Sequence, residues 1–313
     1  MGFKKSKEFV GKHFESILVV FLLLGLTFIL LFVSQKMGFL NFYYLPVLVA
    51  GSALGKRGGV LTALSSILIV IFSILVFPAQ YLKSGGTEML NIVLNLLAWG
   101  GFLIIASYTV GYLQEQKQAQ VNIIHEAYIG VLEILSKLVE SVDRYTEGHS
   151  VRVSRLSTDI AIAMDLSRDQ VENIRVAGLL HDIGKFEVTT GLIQKAASLT
   201  DHEREEMSKH TEMGARLVSQ VGPVLKEAVP IILAHHQFYM TESKSPHGEI
   251  PLGARIIAVA DSYDAIVTDR PYRKGRPHWQ AVNEIRSAIG TQFDPVVVEA
   301  FERVSANYAL AEK

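Results

Sequence analysis

The sequence contains no cysteine, so neither a disulfide scaffold nor a thiolate metal site can be built from it. Any metal it binds must be held by histidine and carboxylate. Charge is also scarce: 19% of the 313 residues are Asp, Glu, Lys or Arg, against 49% hydrophobic, and the formal net charge is −1. A total so near zero argues against a nucleic-acid-polymer binder driven by phosphate attraction. The scarcity is uneven. Residues 1–113 hold eight basic and three acidic side chains, net +5, whereas residues 114–313 hold 22 and 28, net −6. A hundred residues with so few charges form neither a disordered arm nor a single water-soluble domain.

Four stretches lack charge altogether: 20 residues between Glu15 and Lys36, 19 between Lys36 and Lys56, 25 between Arg57 and Lys83, and 26 between Glu88 and Glu115. At about 1.5 Å rise per residue, roughly 20 residues cross a hydrocarbon core about 30 Å thick. Each stretch is read as a transmembrane helix, because a buried helix of a soluble bundle would need a polar face and these offer none. Lys4, Lys5, Lys7 and Lys12 precede the first span, and Lys56 with Arg57 lie between the second and third. The positive-inside rule then places the N-terminus, the 55–59 loop and everything after about Leu113 in the cytoplasm, as expected of a multi-pass protein of a bacterial inner membrane. A signal peptide would have a shorter apolar stretch, so the first segment is expected to remain as an anchor. No Asp, Glu or His falls inside the four stretches, which gives transport no proton relay or ion site. The outer loops, about 35–40 and 78–88, leave no room for a folded sensor; the stimulus is then a small molecule within the spans, a membrane property or a partner protein. The stretch from Tyr43 to Leu68, YYLPVLVAGSALGKRGGVLTALSSIL, resembles the four-helix membrane domain found ahead of some sensor histidine kinases.

After the fourth stretch the chain turns polar, QEQKQAQ. Ile124, Tyr128, Val131, Leu135, Leu138 and Val142 then recur at alternating steps of four and three. A seam of that period suits a parallel two-stranded coil and hence a homodimer. The same stripe could instead pack within the chain as the first helix of the following domain, and the two arrangements are compatible.

Nine of the ten histidines follow residue 113, and five fall into an ordered set with carboxylates: His149, His181 with Asp182, His210, His235 with His236, then Asp261. Amphipathic segments deliver them. SRDQVENIRVAGLLHDIGK opens with Ser167 as an N-cap and closes on His181 and Asp182, and VLKEAVPIILAHHQ closes on the His pair. A carboxylate or paired imidazoles after such apolar runs are costly to bury without a partner, and a cation supplies one. Imidazole and carboxylate without thiolate suit first-row divalent metals such as Mn, Fe, Co, Ni or Zn.

TEGHSVRV, HDIGK and the later His and Asp resemble the HD superfamily of metal-dependent phosphohydrolases. More closely, KHTEMGARL, AHH, IPLGARIIAVADSYDAIVTDRPYR and GTQFDPVVVEAF are similar to its HD-GYP subgroup, which hydrolyses cyclic dinucleotides, chiefly cyclic di-GMP. The resemblance runs from about Val142 to about Phe301. Taken with the uncharged stretches and the apolar seam, it gives an expected all-α architecture: a four-span transmembrane domain (1–113), a helical connector (114–142) and a cytoplasmic helical-bundle HD domain (143–313). It also implies that His149, His181, Asp182 and Asp261 ligate one metal, and that Asp182 bridges to a second held by His210, His235 and His236. Iron or manganese are the metals expected. Some members hold a third metal through a Glu four positions before the first His; here that position is Tyr145, with Glu147 off register, so two metals are expected.

The chemistry explains the residue types. A phosphodiester resists hydroxide, and two metals about 3.5 to 4 Å apart would both acidify a water and clamp the phosphate. Lys185, three residues past Asp182, is expected to offset charge on the phosphate as the reaction proceeds. Arg270, Arg273 and Lys274 in DRPYRKG resemble the subgroup's basic segment, which holds nucleotide phosphates; the alternative is a basic surface turn. The sequence departs from the subgroup after the His pair. Gln237 stands where Glu is usual, no Gly-Tyr-Pro occurs, and the stretch to Ile250 is about three residues short. A membrane-bound phosphodiesterase of a cyclic dinucleotide, or of a related nucleotide phosphoester, is therefore weighed against a non-hydrolytic nucleotide-sensing receptor. The complete ligand set favours the enzyme.

Overall fold

The structure is a computed structural model that describes residues 2–33, 36–81, 86–141, 148–188, 200–240, 249–269 and 273–309. It is all-α, with no β-strand among the described residues, and it divides into two compact units, Met1–His125 and Glu126–Lys313.

The first unit comprises α1 (Gly2–Phe32), α2 (Lys36–Phe39), a 3-10 turn at Leu40–Tyr43, α3 (Tyr44–Val76) and the early part of α4 (Gly86–Glu140). Three helical stretches are long and apolar enough to cross a membrane: His13–Phe32, Lys36–Val76 and Met89–Glu140. Four were expected from the uncharged windows, and the difference lies at Gly55. In a straight helix, residues 51 and 59 would stand about 12 Å apart along the axis. Here a Cβ on Gly59 would lie 2.9 Å from the Cα of Gly51. The chain therefore reverses at Gly55, whose left-handed φ of 73° only glycine adopts without strain. The second and third windows are the two arms of this one element. Gly111 of α4 packs so closely on the turn that a Cβ there would fall 2.4 Å from the Cα of Lys56. Glu115 closes the turn, accepting from the Lys56 amide at 3.1 Å and pairing with its ammonium at 3.1 Å. Leu40, Tyr43, Val47, Ala63, Val70, Trp99 and Leu103 form the interior, where the Trp99 indole N–H donates to Leu40 O at 3.1 Å. Phe21, Phe28, Phe32, Leu61, Phe72 and Phe102 point outward. Large apolar side chains on the outside, with small ones at the helix contacts, are what a lipid solvent favours.

The second unit takes the end of α4 and adds α5 (His149–Ala163), α6 (Arg168–Leu180), a 3-10 turn at Ile183–Glu187, α7 (Asp201–Ser208), α8 (His210–Ser219), α9 (Val229–Ala234), α10 (Leu252–Val267), α11 (His278–Ser287) and α12 (Pro295–Ala309). Ser167 caps α6 as expected, in a reciprocal pair with Gln170. Thr200 and Glu203 do the same for α7. Helix α10 is the axis of the bundle: Ile256, Ile257, Val259 and Ala260 are buried, and α5, α6, α9, α11 and α12 pack around it. In α4 the core face is Ile129, Leu132, Ser136 and Val139. The heptad seam is a different face. Val131 and Leu138 are 55% and 59% exposed, and Ile124 and Leu135 are also exposed, while Tyr128 is half-buried against the core. Val142 lies outside the described residues.

Candidate metal centre

Five helices bring the seven expected ligands to one place, chiefly through their ends. His149 opens α5, His181 and Asp182 follow the last residue of α6, His210 opens α8, His235 and His236 follow α9, and Asp261 projects from α10. Glycine makes the closest approach possible. At Gly184 a Cβ would sit 2.0 Å from His210 O and 2.5 Å from Gly214 N, so only a residue without a side chain lets the turn after Asp182 lie against α8.

One local device is used three times. The Nδ1 of His181 is 2.9 Å from Gly178 O, that of His210 2.6 Å from Met207 O, and that of His235 2.7 Å from Ile232 O. A carbonyl can only accept, so each Nδ1 carries the proton, and each accepting carbonyl lies in the last turn of a helix. Each Nε2 then presents a lone pair. All three Nε2 atoms are buried and have no hydrogen-bond partner. Buried nitrogen without a partner is uncommon, and three in one cluster, two of them beside the carboxylate of Asp182, fit a cation.

Asp182 is that carboxylate. Its Oδ2 is 3.4 Å from His181 Nε2 and 4.0 Å from His149 Nε2, while its Oδ1 is 3.5 Å from His210 Nε2. His149 Nε2 lies 3.2 Å from Asp261 Oδ1. Ligands held about 2.1 Å from one ion stand about 3.0 to 3.4 Å apart, so these spacings suit coordination. The donor atoms form two groups, His149 with His181 and Asp182, and His210 with His235 and His236, each within 4.8 Å. His149, His181, Asp182, His210 and His235 are buried, and His236 faces solvent.

The charges follow from this crowding. Burial alone would depress His149, but its hydrogen bonds to Asp261 and Asp264 raise it to about 10. Burial lowers His210 to about 4, and burial with the adjacent His236 holds His235 well below the usual imidazole value. Burial would raise Asp182, yet Lys185 and His181 keep it well below the carboxylate range. His149 does the same for Asp261.

Lys185 was expected at the substrate phosphate; its ammonium donates to Asp182 Oδ2 at 2.7 Å. Arg273 donates through Nη2 to Ala265 O at 2.7 Å, closing the end of α10, and lines a cavity of about 500 Å³ with Ser262, Glu284 and Gln292. Lys274 is exposed, and Arg270, Tyr145 and Glu147 lie outside the described residues. Asp264 and its partner Arg152 were not read from the sequence. Asp264, buried, accepts from His149 Nδ1 at 2.7 Å and from Arg152 Nε at 2.6 Å. It fixes the His149 ring so that Nε2 faces Asp261. The signal was present: Asp264 is a second carboxylate one turn beyond Asp261, and its burial calls for a partner just as that of Asp261 does.

A family model described as HD domain matches residues 133–297. A protein of Thermotoga maritima named cyclic di-GMP phosphodiesterase is 42% identical over 176 residues, 55% of this chain and 48% of that protein. One of Pseudomonas aeruginosa with the same activity in its name is 37% identical over 176 residues, 54% of this chain and 42% of its own length. A Vibrio cholerae protein named 3′3′-cGAMP-specific phosphodiesterase is 31% identical over 185 residues, covering 57% of this chain and 39% of that protein. The chain thus spans about half or less of the length of the curated relatives it matches.

Proposed function

Because the chain belongs to the HD domain family, with the model covering residues 133–297, we propose that it is a membrane-bound, metal-dependent phosphodiesterase that hydrolyses a cyclic dinucleotide, cyclic di-GMP before others. The observation that carries this reading is the set of three buried Nε2 atoms without a hydrogen-bond partner, two of them beside a carboxylate whose two oxygens face different histidines. His149, His181, Asp182 and Asp261 would hold one divalent metal and Asp182, His210, His235 and His236 a second, with manganese or iron the best match to this donor set. When bound, such a pair supplies an acidified water and a clamp on the phosphate oxygens.

The chain's own residues complete the chemistry. Asp182 keeps its charge at neutral pH and serves both groups at once. Lys185, already drawn to Asp182, places a cation beside the position where phosphate charge accumulates. Asp264 holds the His149 proton on Nδ1 and leaves Nε2 for the metal. Arg270, Arg273 and Lys274 form the basic segment for the remaining phosphate, and Arg273 does so from a guanidinium anchored on α10. The front unit anchors the chain in the cell membrane with the catalytic unit in the cytoplasm, and the exposed seam of α4 pairs two copies.

A second reading rests on Gln237, which can hydrogen-bond but cannot take a proton where the subgroup carries Glu. On that reading the site binds a nucleotide without turnover. One experiment separates the two: the full chain, purified in detergent and loaded with Mn²⁺ or Fe²⁺, is assayed on cyclic di-GMP, 3′3′-cGAMP, the linear dinucleotide and simple phosphoesters. Turnover of a cyclic dinucleotide that disappears in Asp182→Ala with the fold intact supports the enzyme. Tight nucleotide binding with no turnover supports the receptor.

A further inference from the structure

Helix α5 begins at His149 with no side-chain cap of its own. Its N-cap residue is Gly148, held at a left-handed φ of 71°. Ordinarily the N-cap side chain accepts from the amide of the second or third helical residue, and a Glu or Gln at the third helical position accepts from the N-cap amide. Both bonds exist here, and one residue outside the helix makes both. Glu140, in the last turn of α4, accepts from the Gly148 amide at 2.7 Å through Oε2 and from the Ser150 amide at 2.6 Å through Oε1. The residue is 5% exposed, so its charge depends on these amides, on the positive end of α5 and on nearby Arg152.

Between the two bonded amides stands His149. Its position in the site is set by where the first turn of α5 sits, since Nε2 must face Asp261 while Nδ1 reaches Asp264. We propose that Glu140 is a positioning residue for the metal centre: by capping α5 from α4 it sets the depth and rotation of the turn that carries His149. A shift of the last turn of α4 would then change the first metal group and spare the second, whose His210, His235 and His236 come from helices that Glu140 does not cap. The inference rests on the dinuclear reading above.

The test is Mn²⁺ binding to the full chain in detergent, followed through the free-Mn²⁺ electron paramagnetic resonance signal. Wild type is expected to show two sites. Glu140→Ala should weaken one of them about tenfold, the same one that His149→Ala abolishes, and leave the other unchanged. Glu140→Gln, which keeps one carbonyl oxygen for one amide, should recover part of the loss, and it carries the test alone if the alanine variant does not fold. Leu132→Ala, which hollows the core face of the same helix, should lower the thermal midpoint without altering the ratio of the two affinities. Two unchanged sites in the Glu140 variants, or two sites weakened equally, would overturn the proposal. No Mn²⁺ bound by wild type would remove the dinuclear reading first, and this inference with it.

Discussion

His181, His210 and His235 each commit one ring nitrogen to a helix end and leave the other bare. His149 differs, because its Nδ1 goes to the carboxylate of Asp264, which Arg152 also grips. Removing that carboxylate frees the ring and its tautomer. Asp264→Ala should weaken metal binding by about 10- to 100-fold, measured as Mn²⁺ affinity, and Asp264→Asn by less because its amide oxygen can still accept. The candidate ligands that the fold brings together were legible in the sequence because metal chemistry admits few residue types, and burial after apolar runs calls for a cation. Asp264 and Glu140 were not. The partner of Asp264 lies 115 residues upstream and those of Glu140 eight and ten residues downstream, and a carboxylate that acts on a histidine or an amide leaves no spacing to read.

Among the elements, helical character followed from periodicity, but which face packs did not. Helix α4 carries two apolar stripes, and over fewer than three heptads a period of 3.5 separates little from 3.6. The bundle buries Ile129, Leu132 and Val139, leaving Val131, Leu135 and Leu138 outside. The double variant Leu135→Glu with Leu138→Glu should therefore shift a dimer to monomer in light scattering while leaving the folded core intact. The reversal at Gly55 was marked by Lys56 and Arg57, but the turn is so tight that no loop separates the two arms and a break within the helical run is hard to read from composition. At Gly184 the constraint is steric and severe. Gly184→Ala must displace the backbone of α8 at His210, and the expected result is a loss of about 1 to 3 kcal/mol of stability, seen in thermal unfolding, with metal content reduced.

For the molecule as a whole, three bare imidazole nitrogens in the interior of the second unit oppose folding until something binds them. Metal at a thousand times its dissociation constant would stabilise the folded chain by about 4 kcal/mol per site. Chelation should accordingly lower the melting temperature of that unit by on the order of 10 °C, and added Mn²⁺ should restore it. All seven candidate ligands lie in the second unit, so melting of the first should not depend on metal. The seven candidate ligands arrive on five separate helices, mostly at their ends. No fragment that lacks one of these helices could retain the full set. If the site binds metal as proposed, bound metal per purified polypeptide would gauge the correctly assembled fraction, readable by elemental analysis.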